Sequence, residues 1–94
     1  MRKYELVCII HPDLDEAAFN AAIEKIKGWI TENAGSVDKV EIWGRKRMAY
    51  MIKKQREGQY VLFITSLEPS AVAHIDQNLR FLEPVIRYMI TAID

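Results

Sequence analysis

The stretch KVEIWGRKRMAYMIKKQR, residues 39–56, decides how the rest of the chain is read. It holds seven of the thirteen basic residues (Lys39, Arg45, Lys46, Arg47, Lys53, Lys54, Arg56) and one of the thirteen acids, Glu41, so seven cations against one carboxylate leave it at +6. The remaining 76 residues carry six basic and twelve acidic groups, or −6, and a chain of zero formal charge is therefore strongly polarised. Val40, Ile42, Met48, Tyr50 and Ile52 occupy even positions, while Lys39, Glu41, Arg45 and Arg47 occupy odd ones. A period of two places one set on each face of a strand, so a long strand from about Val37 is expected, with one core face and one charged face. Gly44 falls in its middle and marks a bend or bulge. Basic side chains interleaved with rings are what a phosphate backbone with stackable bases calls for; solvated charge on an ordinary hairpin is the plainer alternative.

On either side the elements follow from short-range pattern. Residues 53–58, KKQREG, read as a polar connection into a third strand at 59–66, QYVLFITS. Residues 4–10, YELVCII, form a β-rich apolar run stopped by His11-Pro12, the first strand. Asp15 is placed to cap a helix running from Glu16 to about Asn33, whose apolar stripe is Phe19, Ile23, Ile26 and Ile30. Gly35 is expected as its left-handed C-terminal cap. Glu68-Pro69-Ser70 opens a second helix with the stripe Val72, Ile75, Leu79 and Leu82; Pro84 ends it, and residues 85–93, VIRYMITAI, make a fourth strand. The order strand, helix, strand, strand, helix, strand implies an α+β, ferredoxin-like split βαβ fold: a four-stranded antiparallel sheet with both helices on one face. The second strand then lies at a sheet edge, where charge blunts wrong pairing.

With 94 residues, half of them apolar, residues 1–94 are expected to form a single globular domain. No signal peptide opens the chain and no apolar stretch approaches the roughly 20 residues a bilayer needs, so the expectation is a soluble cytoplasmic protein. The lone cysteine, Cys8, lies within an apolar run and reads as a buried, inert thiol. Catalysis has little to stand on. His11 has no nucleophile, metal partner or glycine-rich phosphate loop beside it and suits a turn. His74 and Asp76 point in different directions on their helix, and Asp13, Asp15 and Glu16 are explained by helix capping. No metal-ligand spacing is present and no cofactor is expected. Met48, Met51 and Met89 are expected to fill core gaps, Trp29 to be partly buried, and Trp43 to stand exposed beside Gly44.

Residues 44–52, GRKRMAYMI, resemble the signature of the bacterial small-subunit ribosomal protein S-six family: a glycine, a basic cluster, then leucine-alanine-tyrosine and a branched apolar residue. The resemblance extends through Arg2-Lys3-Tyr4-Glu5, Pro12-Asp13-Leu14-Asp15, Gly58-Gln59-Tyr60, Leu79-Arg80 and Val85-Ile86-Arg87-Tyr88. Met48 stands where leucine is usual, a volume-conserving change, and the tail that many members carry after the fourth strand is missing. The resemblance implies a non-catalytic structural component of the small ribosomal subunit that binds the central domain of small-subunit ribosomal RNA together with ribosomal protein S-eighteen. It implies phosphate and sugar contacts from Arg2, Lys3, Arg45, Lys53, Lys54, Arg56 and Arg87, with Tyr4 or Tyr88 supporting a base or ribose. It places the partner protein on the edge strand, at Glu41, Ile42, Trp43, Lys46 and Arg47, and implies a monomer when free. Two other classes stay open on the same fold: a small-ligand sensor or enzyme built around His11, and a self-associating module.

Overall fold

The structure, a computed structural model, describes residues 1–93. Its elements are β1 (Arg2–Ile10), α1 (Glu16–Glu32), β2 (Ser36–Ile52), β3 (Gln55–Leu67), a 3-10 turn (Pro69–Ala71), α2 (Val72–Arg80) and β4 (Val85–Ala92). The strands form one antiparallel sheet in the order β2-β3-β1-β4, which puts β2 and β4 at the edges. The expected split βαβ architecture is the one observed.

Alternation in the central strands decides where the core lies. Tyr4, Leu6, Cys8 and Ile10 of β1, with Val61, Phe63 and Leu67 of β3, meet Phe19, Ile23, Ile26 and Ile30 of α1 and Ile75 and Leu79 of α2 in one buried cluster. That cluster is the helix-covered face. Asp15 caps α1, its Oδ1 accepting from the Ala18 N–H at 2.8 Å. Pro69 sits in the first turn of the second helical segment, where a missing N–H costs nothing. A second, smaller cluster of Ile9, Met48 and Ile86, flanked by Ile52 and Tyr60, lies on the face that no helix covers.

Four sequence expectations need correction. The left-handed residue after α1 is Ala34 (φ 61°), not Gly35. Gly35 is required for space instead, since a Cβ there would lie 2.7 Å from the Ser66 carbonyl oxygen and 3.0 Å from that of Ile30.

The hairpin connection is also tighter than expected. Ile52 pairs with Gln55, so Lys53 (φ 49°) and Lys54 (φ 65°) alone make the turn, both left-handed as a type I′ turn demands. Neither residue is glycine or asparagine, so the usual sequence signal for such a turn is missing.

The third correction concerns β2, which has no single core face. Val40 and Ile42 pair with Phe63 and Val61, on the helix side. The register then slips between Ile42 and Gly44 (φ 87°), and one extra residue reverses the parity of everything beyond it. Past the bulge Lys46 pairs with Gly58 and Met48 joins the open-face cluster. Ile42 and Tyr50, expected inside, are 60% and 62% exposed. Last, Met51 and Met89 do not fill core gaps and stand half in solvent.

Candidate nucleic-acid interface

A second slip in β2 shapes the open face. Arg47 pairs with Glu57 and Ile52 with Gln55, so residues 48–51 face only Arg56. The surplus chain arches over the uncovered side of the sheet. Met48 packs there on Ile9 of β1 and Ile86 of β4, and the Tyr50 hydroxyl accepts a hydrogen bond from Arg87 Nη1 of β4 at 2.7 Å. A segment that begins on one edge of the sheet therefore touches the strand at the other edge. Gly58 leaves the room that the Ile9 side chain occupies beneath Met48, because a Cβ there would collide with Ile9 Cγ2.

The arch brings some of the expected RNA-contacting residues together and separates others. Lys53, Lys54 and Arg56 are exposed at the tip, with Arg87 beside Tyr50 beneath it. Among the described residues, Lys53, Lys54, Arg56 and Arg47 make no ion pair. Other cations are matched, Lys27 with Glu24 at 3.4 Å, Lys39 with Glu41 at 3.6 Å and Arg80 with Asp76 at 3.0 Å, whereas Lys25 on α1 makes no ion pair among the described residues. Within the basic stretch Arg45, like Lys39, is paired: its Nε donates to Glu57 Oε2 at 2.7 Å and Asp13 lies 3.8 Å away. Its charge is largely answered within the chain.

Arg2 and Lys3 belong to the far end of the sheet. Lys3 pairs with Ser66, and from Ser66 back to Gln55 a strand at ~3.3 Å per residue covers on the order of 30 Å. Two basic loci thus replace the single patch that the sequence suggests. The two tyrosines named for base support are placed differently again. Tyr4 is 7% exposed within the helix-side core. Tyr88 is half-buried, and its hydroxyl donates to Asp76 of α2, 3.0 Å from the carbonyl oxygen and 2.9 Å from Oδ1. Burial, then that hydrogen bond, raises the Tyr88 pKa above the usual phenol value. Tyr50 and Tyr60 line the open-face groove with Arg87, and Tyr88 borders it too. The signal for Tyr50 was its place between Met48 and the lysine turn, but the parity argument had assigned it to the core.

Of the residues expected to face a protein partner, Ile42 is 60% and Trp43 44% exposed on β2, whose outer edge pairs with no strand among the described residues. Lys46 Nζ lies 5.3 Å from the centroid of the Trp43 ring, a cation–π contact that fixes the indole on the surface. Glu41 is tied to Lys39, and Arg47 lines a hollow with Arg45, Arg56 and Asp13.

The other candidate chemistry resolves simply. His11 Nδ1 accepts from the Asp13 N–H at 3.1 Å, a turn contact. Cys8 is buried, and burial pushes its thiol up to about 12. Among the described residues no group of three or more His, Cys, Asp or Glu converges as a metal site, and no helix is long and apolar enough to cross a membrane.

Known proteins share both the sequence and the fold. The family described as Ribosomal protein S6 matches residues 3–92. The small ribosomal subunit protein bS6 of Moorella thermoacetica is 43% identical over 94 residues, spanning 100% of this chain and 96% of that one. Its counterpart from Clostridium kluyveri is 40% identical over 90 residues, 96% of this chain and 95% of that one. The crystal structure of 30S ribosomal protein S6 from Thermotoga maritima superposes with a TM-score of 0.92 at 30% identity, covering 98% of this chain and 87% of that one.

Proposed function

The chain belongs to the ribosomal protein S6 family, and from that premise we propose that, as one domain, it binds the central domain of small-subunit ribosomal RNA jointly with ribosomal protein S-eighteen. Family membership makes it a non-enzymatic component of the small subunit of the cytoplasmic bacterial ribosome. The finer assignment rests on one observation: among the described residues Lys53, Lys54 and Arg56, none with an acidic partner, gather at the arched β2–β3 tip beside the helix-free sheet face.

Lys53, Lys54 and Arg56 there, with Arg87 below, present four charges to a phosphate backbone, and each phosphate neutralised releases condensed counterions. Two lysines held in left-handed backbone support the same reading. An L-residue at positive φ is disfavoured by about 1–2 kcal/mol, and such strain persists where a side chain is needed for function. Arg2 and Lys3 form a second contact at the other end of the sheet, so the RNA is gripped at two points and recognised by shape rather than by base sequence. Arg45, already paired, positions the hairpin more than it neutralises phosphate. S-eighteen docks on the free edge of β2, where Glu41, Ile42, Trp43, Lys46 and Arg47 are displayed, and the free chain is monomeric.

The test is binding to a central-domain ribosomal RNA fragment across a salt series, with and without S-eighteen. Replacing Lys53, Lys54 and Arg56 together by glutamine should weaken binding and reduce the slope of log K against log salt by about 2 to 3, at about 0.7–0.9 per lost phosphate contact. An unchanged affinity and slope would return the tip to ordinary solvated surface.

A further inference from the structure

Below the arched tip lies a groove of about 320 Å³, within the lower range of ligand pockets. Ile9, Met48, Val7 and Met89 line it with Tyr50, Tyr60 and Tyr88, and Arg87 lies at its border. Its walls are partly in solvent: Tyr50 is 62% exposed and Met89 55%. We propose that this groove seats one unpaired RNA base, stacked on Tyr50 and flanked by Met89, with Arg87 on the phosphate of the same nucleotide. The proposal rests on the RNA-binding reading above and adds to it a contact that does not depend on charge.

The chemistry of the rim selects the occupant. Among the described residues no carboxylate lines the groove, Arg87 does, and Lys53 and Lys54 follow directly on Ile52, another lining residue. An apolar lining with tyrosine rings and an all-cationic margin fits a flat, apolar-faced base carrying an anion. A protein side chain would use the lining and leave the cations unanswered. Base–aromatic stacking is also tolerant of base identity, because every base has a π-face.

The Arg87–Tyr50 hydrogen bond prepares the site. At 2.7 Å the guanidinium donates and the phenol oxygen accepts, which fixes the ring of an otherwise exposed tyrosine before any ligand arrives. The Tyr50 O–H keeps its own proton to donate, and the remaining N–H groups of Arg87 stay available for a phosphate. Less ordering is then left to pay for on binding.

The probe is the central-domain ribosomal RNA fragment with S-eighteen present, measured for the wild type, Tyr50→Ala, Met89→Trp and Arg87→Gln. Tyr50 and Met89 are exposed enough that their variants should keep the wild-type circular dichroism spectrum. Tyr50→Ala is expected to lose about 5- to 150-fold in affinity with an unchanged salt slope, because stacking is lost and no phosphate contact is. Met89→Trp should weaken binding similarly by filling the groove, and Arg87→Gln should lower the salt slope by about 0.7–0.9. Wild-type affinity in both Tyr50→Ala and Met89→Trp overturns the base-seating proposal while leaving the RNA reading in place. Failure of the wild type itself to bind the fragment overturns both. A loss of affinity for S-eighteen without RNA in Tyr50→Ala assigns the groove to the partner protein and overturns the proposal.

Discussion

Exchanging the demands made on Ala34 and Gly35 tests the local chemistry that launches β2. The end of α1 is a Schellman arrangement: the Gly35 N–H donates to the Ile30 carbonyl at 2.9 Å and the Ala34 N–H to that of Thr31 at 3.1 Å, with Ala34 at φ 61°. A left-handed alanine is disfavoured by about 1–2 kcal/mol. Glycine removes that penalty but loses about 0.5–1 kcal/mol through the greater freedom of the unfolded chain. Ala34→Gly is therefore expected to stabilise by about 0.5–1 kcal/mol.

Gly35→Ala runs the other way. Its new methyl would lie 2.6 Å from Leu67 Cδ2, 2.7 Å from the Ser66 oxygen and 3.0 Å from the Ile30 oxygen. The leucine methyl can turn aside. The carbonyls cannot, because Ile30 O is held by the capping hydrogen bond and Ser66 belongs to the paired strand β3. Relief requires prising the start of β2 away from both, at a cost of about 2–3 kcal/mol. An unfolding entropy of about 2.1 cal/mol/K per residue makes 1 kcal/mol worth about 5 °C for a chain this size. Thermal melts should thus show Gly35→Ala lower by about 10–15 °C and Ala34→Gly higher by about 3–5 °C, and urea titrations should give the same order with unchanged m. A destabilised Ala34→Gly beside a nearly neutral Gly35→Ala would refute the argument, since it would mean that Ala34 is not held left-handed and that Gly35 has room for a Cβ.

Three further outcomes follow from single groups. Thr65 is 1% exposed, and among the described residues its hydroxyl has no hydrogen-bond partner, so Thr65→Val should raise stability by about 1 kcal/mol, or about 5 °C in a melt; a lower melting temperature would mean the hydroxyl is satisfied. The Cys8 thiol, pushed up to about 12 by burial, should resist a disulfide reagent at pH 8 in the folded chain and react on addition of denaturant. Hydrogen bonds from Ser66 and then Ser36, at 2.7 and 2.9 Å, hold the Asp38 carboxyl below its usual value, with Lys3 assisting. A depressed carboxyl stabilises the fold above its unfolded pKa and loses that contribution as pH falls through the folded one. The stability gap between wild type and Asp38→Asn should accordingly be constant above about pH 5 and shrink below about pH 4; a gap that persists at low pH would exclude the ionised form as its source.

Local pattern carried most of the architecture because most elements here obey one rule at a time. The α1 stripe, the Asp15 cap, the Pro69 start and the alternation of β1 and β3 each follow from spacing alone, and together they permit little besides a split βαβ sheet. Where the reading failed, two rules met. Gly44 was legible as a bulge, and the even positions of β2 were legible as apolar, but the bulge reverses the meaning of even. Met48 is buried as expected, yet on the opposite face, and Tyr50 is carried into solvent. Tyr4 and Lys3 adjoin in sequence and part in space because strand neighbours point to opposite sides. Sequence proximity to a cation therefore gave no warning that the Tyr4 ring lies in the core.

The interface itself depends on that reversal. Had β2 kept one parity, Met48 and the residues after it would have turned toward the helices, and the helix-free face would have kept only its flat row of side chains. The bulge at Gly44 and the four residues set against Arg56 alone instead fold an edge hairpin across the sheet. Gly58 supplies the clearance and Ile9 and Ile86 the apolar footing. Burying Met48 to 8% exposure on that footing is worth on the order of 1.5–3 kcal/mol. That is enough to anchor the arch while its lysine turn stays in strained backbone. On the proposed reading the outer edge of β2 is offered to the partner protein and the arched tip to RNA, and one strand can present both because its two halves face different ways.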